Sequence, residues 1–523
     1  MLRYSTLYRL YPVIFACQRE PRYARMIIAF AKLFMTKYSM QALFFIIITL
    51  CFSTANSLEN TPQTSATVTE TTNVSAQELL RLAKSLRSSD RQRSIQLANE
   101  SLRKSQDNNN PRLSAQSHHL LGKLARESKH INQSMEHLLQ ASLIYKSIND
   151  KENQIKSSMD YVKLLLLEKR YDEVDKIIDE LLPIAQKFGA ELPLALMFTA
   201  KGDSYYHRKR YYDAIAQYTH VLKYFSETDK PIPKQLGITY KKIAQSYKHL
   251  RNRMKSAYFL KKSLYVHTAL EDLKSMASIL NALSEAERYL GDYEIALDYS
   301  TRSLNIYKQI NVPIGRSKAL VGAGIIYRQT GYYQKSLTYI HEAYLYYKKV
   351  NNANGIAKTS NQIGLIYSRL KQFKQARTFY QITIDLPVNK VEPTTIASAL
   401  REIAIIDLDA GHYGVAIAMA KKAHKIYQKE NDKSKQALSA LIIGNIYRAQ
   451  KSDTQAIDYY RESLALANLI GSAKQQIEAQ IPLADALIGR NTNHAIYLLK
   501  KSVKLSIQIN VKHQTLYAYQ ILH

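Results

Sequence analysis

A dense group of chemistry-bearing side chains lies in "SHHLLGKLARESKHINQSMEH" (Ser117–His137), which holds four histidines. Imidazoles beside a carboxylate are what a zinc or copper site needs, but the spacing works against one. His118 and His119 are neighbours and diverge around a helix, whereas a helical metal pair stands at i, i+4. Glu127 and His130 are three apart with an expected turn at Lys129 between them, and His137 belongs to the following helix. These read as helix-surface histidines, so no metal site is assigned. The 16 glycines never gather into a phosphate-cradling loop. Asp172, Glu173, Asp175 and Glu180 read as a solvated helix face. No catalytic residue and no cofactor site follows, and the chain reads as a non-enzyme.

The elements that carry these residues repeat. Small or apolar residues fall at Leu82, Gly122, Val162, Gly202, Ala244, Ser284, Gly324, Gly364, Ala404, Gly444 and Ala484, at steps of 40 residues except one of 42. Taking each as an anchor, Tyr205, Tyr247, Tyr327, Tyr367 and Tyr447 stand at +3, and Tyr171, Tyr211, Tyr293, Tyr333, Phe373 and Tyr413 at +9. Ala or Ser recurs at +12, tyrosine at +16 (Tyr218, Tyr380, Tyr460) and Ala at +19. The pattern predicts eleven antiparallel helix pairs. Small residues at the anchor and +12 let the two helices approach, tyrosines at +3, +9 and +16 fill the wedges between units, and Gly291, Gly331 and Gly411 at +7 end the first helix in the left-handed conformation. One pair alone cannot bury its apolar face, whereas stacked neighbours share a core.

Over residues 76–513 this pattern resembles the tetratricopeptide repeat family, in a longer variety than its usual 34-residue period. The resemblance implies an all-α fold, a right-handed superhelical solenoid of antiparallel helix pairs. Residues 514–523 begin a twelfth first helix and stop near its anchor. Two readings stay open there: a partner covers the last apolar face, or the natural chain continues.

The N-terminus has the parts of an export signal. Lys37 precedes the apolar run "ALFFIIITLCF" (42–52), and Ala55-Asn56-Ser57 offers a cleavage site. Eleven residues are too few to span a bilayer, which takes about 20, although an uncleaved anchor is the alternative. Met35 would serve as the start of a compact signal, with Met1–Phe34 as leader. Residues 58–75 form a Thr/Ser-rich linker, with Asn73-Val74-Ser75 as a glycosylation sequon. Cleavage after Ser57 removes Cys17 and Cys51, the only cysteines, which suits an oxidising, periplasmic or other extracytoplasmic compartment. The chain carries a net charge of +30; residues 1–57 hold seven Lys/Arg and one Glu, which leaves +24 for the rest. Such basicity favours anionic partners, or serves solubility alone.

At about 100° per residue, offsets −6, −3, +1, +4 and +5 share one stripe of the first helix. In tetratricopeptide arrays the first helices line the concave surface, so the resemblance places this stripe in a ligand groove. From the fifth to the eighth copy it carries Lys241, Gln245, Lys248, Asn281, Glu285, Arg288, Lys318, Arg328, Lys358, Asn361 and Arg369, seven bases against one acid. That composition suits an acidic, peptide-like ligand. The family's clamps for C-terminal peptides use Asn at +1, where only Asn445 stands, so that mode is not carried over.

The expected function is an exported, non-catalytic scaffold or sensor module that binds a protein or peptide in its groove. It is similar to the extracytoplasmic sensor region of bacterial signalling proteins, in which such repeats precede a membrane helix and a diguanylate cyclase or histidine kinase domain, and the chain would then be a truncated receptor. The alternative is a basic helical-repeat nucleic-acid-binding protein. Export and the lack of a repeating base-reading code speak against it.

Overall fold

The protein is described by a computed structural model covering residues 74–189, 191–225, 233–509 and 512–522. The export run 42–52, its cleavage site, both cysteines, the proposed start at Met35 and nearly all of the linker lie outside the described residues. Among those described there are 23 α-helices, a single 3₁₀ turn (Val388–Lys390) and no strand. The fold is all-α, as expected. No helix among them is long and apolar enough to cross a membrane.

The chain divides into two units, one ending at Ser117 and the other starting at His118. The first holds α1 (Ala76–Leu86), α2 (Arg91–Asp107) and the opening turns of α3 (Pro111–Glu127). Leu79, Leu80, Ala83, Leu97 and Ala98 are buried between α1 and α2. Two serines of α2 close the pair by donating to carbonyls of α1, Ser94 to Ala83 and Ser101 to Ala76, both at 2.7 Å.

In the second unit the rest of α3 pairs with α4 (Ile131–Ser147). Then come α5 (Lys151–Leu167) with α6 (Tyr171–Lys187), α7 (Glu191–His207) with α8 (Tyr211–Val221), α9 (Lys234–His249) with α10 (Arg253–Ala269), and α11 (Leu273–Leu290) with α12 (Tyr293–Gln309). There follow α13 (Pro313–Gln329) with α14 (Tyr333–Lys349), α15 (Ala353–Arg369) with α16 (Phe373–Asp385), α17 (Pro393–Asp409) with α18 (Tyr413–Lys429), α19 (Lys433–Ala449) with α20 (Asp453–Leu469), and α21 (Ala473–Leu487) with α22 (Thr492–Gln508). Helix α23 (Lys512–Leu522) opens a twelfth unit two residues ahead of the expected boundary.

From Gly122 onward the anchors are where the two helices of a hairpin meet; in the first copy Leu82 is exposed and its neighbour Ala83 takes that place, which corrects the expected anchor. A Cβ on Gly364 would stand 2.6 Å from the Tyr380 ring, and one on Gly444 would stand 2.5 Å from the Tyr460 ring. The tyrosine at +16 therefore fills its own hairpin, which corrects the expectation that it fills a wedge between units. The +3 ring also stays inside the hairpin, stacked on an aromatic at +15: Tyr247 on Phe259, Tyr367 on Phe379 and Tyr447 on Tyr459, with centroids 5.6–5.7 Å apart. The seams between units are filled from +9, as expected, where Tyr171 and Tyr211 stack on His207 and His249 of the next first helix, and from +23, where Tyr307 and Tyr347 lie against Gly315 and Gly355 of the next first helix.

Serine at +12 does more than substitute for alanine. Ser134, Ser256 and Ser336 donate to the anchor carbonyls of Gly122, Ala244 and Gly324 at 2.6–2.9 Å. At +19, Ser263, Ser303, Thr383 and Ser463 donate to the carbonyl seven residues before the anchor, at 2.7–3.2 Å. Each bond satisfies a buried hydroxyl and holds the two helices together at a second level.

Helix ends follow one device. The +7 glycines take positive φ as expected, 98° at Gly291, 85° at Gly331 and 78° at Gly411. In six other copies a lysine or arginine, such as Arg251 or Lys371, occupies the same left-handed well at 57–64°, which costs a side-chain-bearing residue roughly 1–2 kcal/mol. The hydrogen bonds that follow offset the strain. After Lys371 the Gln372 N–H reaches back to the Tyr367 carbonyl at 2.9 Å, and at the far corner Asp432 does the same to Tyr427 at 3.0 Å, satisfying carbonyls that a helix end leaves open. Asp272, Asn352 and Asp432 then cap the next helix through their side chains.

Candidate functional site

The stripe residues all lie in the second unit, on four successive first helices. On α9, Gln245 is exposed, and Lys241 is half-buried with its Nζ donating to Ser278 Oγ at 3.0 Å. Burial holds the Lys241 ammonium below the usual lysine range, partly opposed by the Asp272 charge. Lys248 pairs with Glu285 of α11, which uses up the stripe's one acid. On α15, Lys358 pairs with Glu392 at 2.6 Å, and Glu392, also bound by Asn354, is held below the usual glutamate range. Asn361 is buried: it donates to the Thr395 carbonyl at 2.9 Å and accepts from Thr383 at 2.8 Å. It is thus a packing residue that ties α15 to α16 and α17, not a groove residue as the stripe suggested. Asn281 lies against Gly322 of α13, and Lys318 is exposed.

Three arginines behave differently. Arg288 on α11 lies 4.1 Å over the Tyr289 ring and donates to Gln329 Oε1 at 3.2 Å, reaching across to α13. Arg253 of α10 is 4.4 Å from the same ring. Arg328 on α13 is half-buried, and its Nε is buried with no hydrogen-bond partner among the described residues. Burial first, then the charges of Arg369 and Arg288, pull Arg328 below its ordinary pKa, with Tyr380 and Glu402 opposing. Arg369 on α15 is exposed. Besides Lys248–Glu285, Lys358–Glu392 and Arg401–Glu402, the same stretch holds Lys261–Glu287, Arg316–Glu342 and Arg377–Asp407, and no ion pair among the described residues includes Arg288, Arg328 or Arg369. The stripe thus reduces to a row of unmatched guanidiniums on α11, α13 and α15. Two neighbours of that row do not follow from the stripe: Gln329, which accepts from Arg288, and Glu402, whose charge acts on Arg328 and which is paired with Arg401. Arg401 stands at −3 of the ninth copy, so carrying the same helical arithmetic one repeat further finds it.

Two of the histidines read as surface residues of successive helices come together. The Nδ1 atoms of His118 and His137 are 3.0 Å apart, and burial, then the His137 charge, pushes His118 down to about 4. Burial also lowers His137, with Glu136 opposing. Among the described residues no group of three or more His, Cys, Asp or Glu is placed to hold a metal ion. The pair does make stability depend on pH. Both rings are neutral when folded at pH 7, and the unfolded chain takes up protons from about pH 6.5 downward. Stability is therefore full above that pH and falls as the pH drops toward 4. Solvent still reaches the rings, so the expected loss is about 1 kcal/mol at pH 5. A urea midpoint that falls between pH 7 and pH 5 in the parent, and falls less in His118→Gln, is the measurement.

Residues 276–313 match one tetratricopeptide repeat family model and residues 315–386 another. These residues carry tetratricopeptide repeats. The matched span runs from α11 to α16, so the three arginines lie on its first helices. Comparison with curated proteins gives no match. Among solved structures, the apo form of RapI is 13% identical, covers 68% of this chain and 98% of its own, and superposes with a TM-score of 0.53. That likeness concerns the fold. Aspartyl phosphate phosphatase F from Bacillus subtilis (13% identity, 68% of this chain and 93% of its own, TM-score 0.47) is also similar. So is a Rap protein complexed with Competence and Sporulation Factor (11%, 66% and 99%, TM-score 0.44). Tetratricopeptide repeats in this geometry support a protein-binding helical scaffold.

Proposed function

We propose that the chain is a non-catalytic scaffold that binds an acidic protein or peptide along the first helices of its second unit. We further propose that it works outside the cytoplasm, as the sensing part of a signalling protein. The observation that carries the binding reading is the row of arginines on α11, α13 and α15, none of which forms an ion pair among the described residues. Arg328 is half-buried beside two like charges, a cost that an anionic ligand would offset. The export reading rests on residues 42–57. Terminal sequencing of the product secreted from a bacterial host is expected to begin at Leu58, and a product retaining Met35 in the cytoplasm would end that part.

The binding test is fluorescence anisotropy with a Glu-rich decapeptide, a neutral decapeptide and a 20-nucleotide oligothymidylate. Reversing Lys248 would also strand Glu285, so the informative variant is Arg288→Glu with Arg369→Glu. It should weaken the Glu-rich peptide by about 30-fold or more, since each charge-assisted bond is worth about 1.5–3 kcal/mol. An unchanged affinity would sink the reading. Tighter binding of the oligonucleotide than of the peptide would hand the site to the nucleic-acid alternative.

A further inference from the structure

The arginine row has more charge than one carboxylate can answer. Arg288, Arg328 and Arg369 sit on three successive first helices, none in an ion pair among the described residues. Arg328 keeps a buried, unpartnered Nε. Glu402 of α17, whose charge Arg328 feels, is already held by its neighbour Arg401. Arg288 is held in place from both sides, by the Gln329 amide oxygen and by the Tyr289 ring. Guanidinium forks suit a group that offers several oxygens at once, and Arg288 is already held for it. A carboxylate brings two oxygens and one charge. A phosphate monoester brings three oxygens and close to two charges at pH 7.

We infer that Arg288, Arg328 and Arg369 together receive one phosphate-monoester group, carried on a side chain of the bound peptide. The peptide part rests on the scaffold reading above; the phosphate part rests on the arginines alone. The group lies across α11, α13 and α15, its oxygens shared among three forks, while the peptide backbone follows the first helices. A phosphodiester, with one charge and two free oxygens, fits the row less well, which separates this site from a general nucleic-acid surface.

The experiment titrates the full chain by calorimetry with a capped Ala-rich hexapeptide bearing phosphoserine, its Asp and Ser counterparts, and inorganic phosphate. The phosphoserine peptide should bind at least tenfold more tightly than the Asp peptide. Arg328→Lys, which keeps the charge but removes the fork, should lose tenfold or more. Arg328 is half-buried, so Arg369→Gln at an exposed position supplies a second variant free of folding effects, with a similar loss expected. Equal affinity for the phosphoserine and Asp peptides, both lost in Arg369→Gln, overturns the phosphate assignment and leaves the scaffold standing. Inorganic phosphate binding as tightly as the phosphopeptide, and losing as much in both variants, keeps the phosphate assignment and overturns the peptide reading. Binding that neither variant changes, or no binding of any probe, overturns both.

Discussion

Tyr380→Ala should destabilise the second unit by about 3–5 kcal/mol, the cost of removing a large, fully buried aromatic. Tyr380 has no exposed surface and packs with Ala376, Ala399, Ile403 and Ile406. Its ring occupies the notch left by Gly364, so the vacated space lies between two backbones already at closest approach and does not collapse easily. Burial holds the Tyr380 phenol well above the usual tyrosine range, so the ring stays neutral, and the hydroxyl reaches Ser368 only at 3.4 Å. Tyr380→Phe should therefore cost less than about 1 kcal/mol. In a repeat array each unit is stabilised by its neighbours, so the alanine variant should show a second, earlier urea transition or fast amide exchange confined to α15–α17. A uniform shift without local loss of protection would contradict the notch account.

Arg377→Ala should cost about 3 kcal/mol, the low end of what breaking a buried ion pair costs. Asp407 stands at +3 of the ninth copy, where five others have tyrosine, and is nearly inaccessible. Its Oδ1 accepts from Arg377 Nη1 of the preceding hairpin at 2.6 Å, His412 lies 3.6 Å away, and its Oδ2 is buried without a partner. Removing the guanidinium strands a carboxylate in an apolar seam. The low end applies because Arg377 is itself partly exposed and water can enter where it stood. The companion variant Arg377→Met with Asp407→Leu should recover most of the loss, because two apolar groups of similar volume need no partner. Thermal melts of the parent, single and double variants decide it; a double variant no more stable than Arg377→Ala would show that the aspartate fulfils some other packing need.

The period of the fold was legible because volume is unforgiving at one place. Where two helices touch, only glycine, alanine or serine fits, and Gly122, Gly364 and Ala416 declare it in any register. The tyrosines were not legible in the same way. A ring at +16 and a ring at +23 read alike as core fillers, and only the paired backbones show that Tyr380 closes its own hairpin while Tyr347 closes the seam to the next. Acids at +3, Glu287 and Asp407, were hidden because their partners Lys261 and Arg377 lie on the previous hairpin, 26 and 30 residues back. In the stripe, helical arithmetic put Arg288, Arg328 and Arg369 on one side of their helices. It did not reveal that Lys248 and Lys358 are matched internally, because Glu285 and Glu392 reach them across 37 and 34 residues.

The staples at +12 and +19 join the two helices of one hairpin, whereas successive hairpins lean on each other largely through rings such as Tyr307 and Tyr347 set against bare backbone. Directional bonds resist stretching, and apolar faces tolerate slip. The second unit should then behave as a train of stiff plates with compliant joints. Three guanidiniums mounted on three successive plates form a grip whose aperture follows the pitch of the train, so a gentle flexion would loosen or tighten the hold on cargo while the serine and threonine ties inside each plate stay intact.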